Sequence, residues 1–279
     1  MRLLLPLLLL CFSTLSAMAE ETASTLRLVS NLAYRPETTT DAYAKERCKL
    51  DLFLPTPAAG KTFPIVVWFH GGGLEEGNRL GFKKMATSLV AEGIAVATVD
   101  YRLSPKATYP AYIEDGAAAV AWVHAHITEY GGDAKQVFVG GHSAGGYLAA
   151  MVALDARWLT AAGMNASDLA GAVPVSGQMA THYTIRKERG LPKEVELIDE
   201  GAPLAHARKD APRLLFLAAE HDMNHRVDEN QRMVAALRAA GAEVPDLMVI
   251  PDRDHGSIMS RMIEPEDPGR KAMVAFIRR

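Results

Sequence analysis

The stretch Val137-Phe138-Val139-Gly140-Gly141-His142-Ser143-Ala144-Gly145-Gly146 decides how the chain is read. A β-branched run ends in glycines, one serine sits inside G-x-S-x-G, and an apolar helix is expected from Ala144 to Leu154. Turning a strand into a helix within a residue or two forces that serine into strained backbone, and the small neighbours Gly141, Ala144 and Gly145 leave room for the turn. The hydroxyl is thereby held at the carboxyl end of a strand. Behind it stands a helix N-terminus whose free N–H groups face any oxyanion formed beside the serine. Five residues with three fixed recur by chance, so the weight rests on this strand-turn-helix context and on partners elsewhere in the chain.

Upstream, Phe63 to Phe69 is a continuous apolar run, the pattern of a strand covered on both faces, and His70-Gly71-Gly72-Gly73 cuts it off. A helix is expected near Phe82 to Glu92, then a buried strand over Ile94 to Val99 and a helix near Ala111 to His126. The strand Gln136 to Val139 leads into the serine. Downstream, strands are expected at Ala172 to Val175, Arg213 to Ala218 and Asp246 to Ile250, with helices at Asp228 to Ala240 and Arg270 to Ile277. Two further strands, Leu26 to Leu32 and Cys48 to Leu54, are expected to pair antiparallel at one sheet edge. This alternation gives an α/β class: a mostly parallel twisted sheet of about eight strands with helices on both faces. Residues 177–211 are polar and proline-containing, too long for a simple crossover, and are expected to form a small cap insertion over the carboxyl edge.

The chain has 279 residues and a formal net charge of −3, enough length for a full core and no basic cluster that would court nucleic acid. Residues 1–19 are expected to be a secretory signal peptide. Arg2 starts a short n-region, Leu3 to Phe12 form the apolar run, and Ala17-Met18-Ala19 is an A-x-A cleavage site before Glu20. About ten apolar residues are too few to cross a hydrocarbon core needing roughly twenty, so export to the periplasm or outside is favoured over stable membrane insertion. Cleavage after Ala19 would leave residues 20–279 as one domain with Cys48 as its lone cysteine, so no intramolecular disulfide is available. Oligomeric state is left open.

Serine hydroxyl is a poor nucleophile at its ordinary pKa, so Ser143 needs a base within hydrogen-bond reach and an acid to orient that base. Asp222 and His255 each follow a strand end, where an open parallel sheet collects its site, and they come in the order Ser, Asp, His. His255 sits in a polar loop between Asp254 and Gly256. Glu220 and Asp228 are rivals to Asp222, while Asp252 and Asp254 are expected to shape the loop. After the strand Phe63 to Phe69, glycines permit N–H groups to turn toward a developing charge. Gly72 and Gly73, with Ala144, are therefore the expected oxyanion donors. No G-x-x-x-x-G-K-[ST] or G-x-G-x-x-G supports a phosphate loop instead.

Together His70 to Gly73, Tyr101-Arg102-Leu103-Ser104-Pro105, Gly141 to Gly146, Asp222 and His255 resemble the α/β-hydrolase esterases of the hormone-sensitive-lipase-like group. The resemblance runs from about Phe63 to His255. It implies the α/β-hydrolase fold and hydrolysis of short-chain carboxylic esters through an acyl-serine, with no cofactor and no metal. It also implies that Tyr101, Arg102 and Asp115 brace the oxyanion loop. Two departures stand out. Many relatives carry an acidic residue where this chain has His142, a feature similar to kynurenine-formamidase-like and small polysaccharide-esterase-like members. The N-terminal segment is also too short for a full helical cap, so His142, Met179, His182 and Tyr183 are the expected lining of an open substrate pocket. Amide or formamide cleavage and carbohydrate deacetylation on the same triad remain alternatives, as does a hydrolase-fold binding protein without chemistry.

Overall fold

The computed structural model describes residues 26–57, 59–192, 194–243 and 247–279. The expected signal segment 1–19 lies outside them. In chain order the elements are β1 Arg27–Ala33, α1 Ala42–Arg47, β2 Lys49–Leu54, β3 Phe63–Phe69, α2 Lys83–Ala91, β4 Ala95–Val99, α3 Ala111–His126, β5 Gly132–His142, α4 Ala144–Leu154 and α5 Ala156–Ala161. There follow β6 Gly171–Val175, α6 Tyr183–Glu188, β7 Arg213–Leu214, β8 Leu217–His221, α7 Arg226–Ala239, β9 Met248–Asp254, α8 Ser257–Arg261 and α9 Pro268–Ile277.

One twisted sheet has the order β1-β2-β4-β3-β5-β6-β8-β9, with short β7 also pairing β6. Only β1 with β2 and β2 with β4 run antiparallel, which puts the antiparallel pair at one edge as expected. The apolar strands divide their side chains between two cores. In β3, Phe63, Ile65, Val67 and Phe69 face the side covered by α3, α4, α5 and α7, while Val66 and Trp68 face the side covered by α2, α8 and α9. Val137 and Val139 against Phe138 in β5 repeat the division. An unbroken apolar run is thus what a strand covered on both faces requires. Trp68 stacks on Phe82 at 4.0 Å between ring centroids, which seats the turn leading into α2.

Helix α4 is buried along its whole length between β3, β5, β6 and α3, so it carries apolar residues all round. It approaches the sheet closely at Gly145, where an added Cβ would lie 2.0 Å from the carbonyl oxygen of Phe69. That contact sets the helix directly behind the serine.

The structure corrects some boundaries. β5 runs on through Gly140 and Gly141, which pair with Trp68 and Phe69 through backbone alone and so carry no side-chain signal. The expected strand Arg213 to Ala218 is split into β7 and β8 around Leu215 and Phe216. β9 continues past Ile250 to Asp254, so His255 follows its strand directly; Asp246, where that strand was expected to begin, is outside the described residues. Short helices α1, α5, α6 and α8 were not foreseen, since five or six residues hold too little periodicity to read.

Candidate active site

Ser143 stands between β5 and α4 with φ +59° and ψ −120°, a backbone that a serine adopts only where its surroundings impose it. Its N–H is bound to the carbonyl of Val175 at 2.9 Å, which fixes the turn against β6. Ser143 Oγ lies 2.9 Å from His255 Nε2, although the two residues are 112 apart in sequence. His255 Nδ1 donates to Asp222 Oδ1 at 2.6 Å. Three strand ends therefore bring the expected serine, histidine and aspartate into one hydrogen-bonded line.

The Asp222 side chain is almost fully buried. Burial alone would raise its pKa, but hydrogen bonds from His255, Ser176 and the Met223 N–H outweigh that and hold the carboxyl below its usual range. The Ser176 hydroxyl donates to Asp222 Oδ2, and the Ala219 N–H reaches the same oxygen at 3.2 Å. Ser176, fully buried with φ +50°, was missed from the sequence. Its only signal was its place just after β6, on the edge that carries the triad. The rivals lie elsewhere: Glu220 binds the N–H of Asp252, and Asp228 stands in the first turn of α7. Asp254 accepts from Gly256 and Ser257 and so shapes the His255 loop.

Across the cleft, Gly72 and Gly73 adopt φ +107° and +64°. Among the described residues their N–H groups donate to no protein acceptor, and Ala144 opens α4, where the first N–H groups have no partner within the helix. The loop is tied from behind. His70 Nδ1 donates to the carbonyl of Gly71 at 2.7 Å, the His70 ring stacks on Tyr101 at 4.3 Å, and the Tyr101 hydroxyl donates to the His70 carbonyl at 2.7 Å. Burial pushes His70 down to about 4, so it is a neutral brace. Arg102 and Arg35 converge on buried Asp115, and Ser104 N–H reaches the carbonyl of Leu74, which anchors the 101–105 turn beside the loop. From the front, Thr184 Oγ1 donates to the Gly73 carbonyl at 2.5 Å.

The cleft between these walls encloses about 510 Å3 and is lined by Gly71 to Gly73, Glu75, Glu76, His142, Ser143, Tyr183, Met223 and His255. Of the four expected lining residues, His142 and Tyr183 are there; Met179 and His182 are not. Glu229 accepts the N–H groups of Met179 and Ala180, and Asn230 binds the carbonyl of Gly177, which pulls this turn inward and buries the Met179 side chain in the core. His182 is buried as the N-cap of α6, its Nδ1 accepting from the Thr184 N–H, between the rings of Tyr147 and Tyr183. Glu75, Glu76 and Met223 were not foreseen. Glu75 pairs with Lys187 at 2.6 Å, and Met223 adjoins Asp222.

The chain is similar to known esterases in sequence and in fold. Residues 50–170 match the BD-FAE family model. Esterase LipQ of Mycobacterium tuberculosis is 28% identical over 233 residues, 75% of this chain and 55% of that protein. The probable carboxylic ester hydrolase LipM of the same organism is 30% identical over 212 residues, 70% of this chain and 49% of its own length. The chain thus spans about half the length of the curated relatives it matches. Among solved structures, a bacterial heroin esterase superposes with a TM-score of 0.69 at 26% identity, covering 94% of this chain and 86% of that one. A truncated carbohydrate esterase from gut microbiota has a TM-score of 0.73 at 18% identity, covering 93% and 97%, and shares the fold.

Proposed function

We propose that this chain, which has the α/β-hydrolase fold and resembles esterases of the hormone-sensitive-lipase-like group, is a serine carboxylesterase acting on short-chain esters. The observation that carries the reading is the relay Ser143 Oγ, His255, Asp222, at 2.9 and 2.6 Å. Ser143 attacks the ester carbonyl while its proton passes to His255 Nε2. Asp222 stays ionised, orients the ring and stabilises the imidazolium. The carbonyl oxygen, now negative, is received by the N–H groups of Gly72, Gly73 and Ala144, each such donor contributing about 3 kcal/mol to the transition state. Collapse expels the alcohol, which takes the proton from His255 and leaves an acyl-serine. Water then attacks with His255 again as base, and the acid departs.

A cleft whose apolar side chains are Tyr183 and Met223 favours short acyl groups. We read residues 177–211 as a reduced cap, since Tyr183 and Thr184 meet the oxyanion loop from that segment. The pattern of residues 1–19 supports export to the periplasm or beyond. No helix among the described residues is long and apolar enough to cross a membrane.

The test is turnover of p-nitrophenyl acetate and butyrate by the protein. Ser143→Ala should lose on the order of 10⁶ in kcat if the triad acts as a unit. Undiminished activity in a folded Ser143→Ala protein overturns the reading. Amide or formamide cleavage is favoured by one observation: His142 Nε2 lies 2.8 Å from a carbonyl oxygen, so it carries the proton and leaves Nδ1 as an acceptor beside Gly71. An amide leaving group has an N–H to offer it and an ester has none. Comparing an N-formyl amide with its matched formate ester separates the two.

A further inference from the structure

We infer that His142 is a positioning residue for the base, a strap whose Nε2–H holds the carbonyl of His255 and keeps that imidazole in line with Ser143. The inference rests on the triad reading above. His142 is the last residue of β5 and His255 follows β9, two strands that are separated in the sheet by β6 and β8. The bond, 2.8 Å long, therefore spans the carboxyl edge from the nucleophile's own strand to the base's loop. Asp252, Asp254 and Gly256 around His255 are exposed, and the bonds that shape this turn, Glu220 to the Asp252 N–H and Asp254 to Gly256 and Ser257, are not made to His255 itself. Asp222 grips the imidazole at one atom only, Nδ1, about which the ring can still swing away from the serine. A second grip, on the His255 carbonyl, fixes the backbone from which the ring projects and so narrows that freedom. The rings of His142 and His255 also pack at 4.7 Å between centroids, so the strap carries a wall as well as a bond.

The chemistry of the bond explains the residue type. A carbonyl only accepts, so the donor must be an N–H at the far corner of a ring projecting from β5, and the short acidic residue that many relatives carry here has no proton to give. A glutamine amide reaches about as far and also donates. Phenylalanine fills the same space and cannot.

The experiment compares His142→Phe and His142→Gln with the parent protein on p-nitrophenyl acetate, alongside thermal melts and hydrogen exchange of residues 252–257. A misplacement of about 1 Å at a reacting group costs on the order of 10²-fold. His142→Phe should therefore lose about 10-fold to 100-fold in kcat with KM changed by less than about twofold, and fluorophosphonate labelling of Ser143 should slow in parallel. His142→Gln should recover most of the loss. Exchange in the 252–257 loop should quicken in His142→Phe and not in His142→Gln, a readout that stands whatever the substrate. If the parent turns over no ester, the esterase reading fails while exchange still decides the strap. If His142→Phe matches the parent in kcat and in exchange, the strap is overturned. A uniform loss in both variants with a lowered melting temperature assigns His142 to packing and equally overturns it.

Discussion

The Ser176 hydroxyl donates to Asp222 Oδ2, the carboxylate oxygen that His255 does not use. In the proposed relay the acid that orients the base is thus itself oriented, by a fully buried residue whose left-handed backbone aims the hydroxyl at it. A hydrogen bond to a charged group contributes about 1.5–3 kcal/mol, and the Ala219, Met223 and His255 contacts share the load. Ser176→Ala keeps the same backbone demand and removes only the donor. It should lower kcat/KM by about threefold to tenfold at pH 7. With one donor gone, the Asp222 carboxylate becomes more basic and holds the His255 imidazolium more strongly, so the acid limb of the kcat/KM profile, which is set by protonation of the base, should move to higher pH. A pH-rate series from 4 to 8 checks both; an unchanged limb would show that Ser176 does not tune the carboxylate.

Gly73 bears two constraints. Its φ of +64° disfavours any side chain, and a Cβ there would lie 1.9 Å from the Tyr183 hydroxyl. Gly73→Ala must displace either the donor N–H or Tyr183, and kcat/KM should fall by at least about 10²-fold. Adding Tyr183→Ala relieves the collision and leaves the backbone cost, so the double variant should recover only part of the loss. Full recovery would place the whole effect in the collision.

Tyr101 closes the back of the same loop, its buried hydroxyl on the His70 carbonyl and its ring on the His70 imidazole. Tyr101→Phe preserves the stack and leaves a buried carbonyl without that donor, a change that costs about 1–3 kcal/mol. Urea melts should register the loss in stability, and kcat should fall with it because Gly71 to Gly73 are no longer held from behind. Loss of stability at full kcat would separate the brace from the oxyanion loop.

Much of the site was legible because a parallel sheet gathers its strand ends on one edge. Once β5, β8 and β9 were placed, Ser143, Asp222 and His255 had to converge there, and the glycines after β3 had to face them. What was not legible depends on contacts between remote segments. Met179 and His182 look like pocket residues in a polar stretch, but Glu229 and Asn230, on α7, turn that stretch inward, and only Tyr183 is left facing the cleft. The same holds for His142, whose position beside the serine is plain in the sequence while its partner is a backbone carbonyl with no side chain to read.

Stability should fall in mild acid, because two imidazoles, His70 and His182, are buried uncharged and a third, His142, is half-buried at the cleft. Burial lowers His70 and His142 to about 4, with the neighbouring His255 adding to the effect on His142, and drives His182 well below its ordinary value. An unfolded histidine titrates near 6.5. Between about pH 4 and 6.5 the unfolded chain therefore binds protons that the folded one refuses, and folding stability rises with pH across that window. Above it the three groups impose no penalty; as pH falls through it, each costs up to about 1.4 kcal/mol per unit. Three such groups give a slope of up to about 4 kcal/mol per unit, somewhat less where His142 meets the cleft. Asp222, held below the usual carboxylate range, adds its own loss only at lower pH. Urea melts at pH 5, 6 and 7 measure the slope directly. His142→Gln should reduce it by about one proton, and a stability that is flat from pH 7 to 5 would contradict the buried neutral state of these rings.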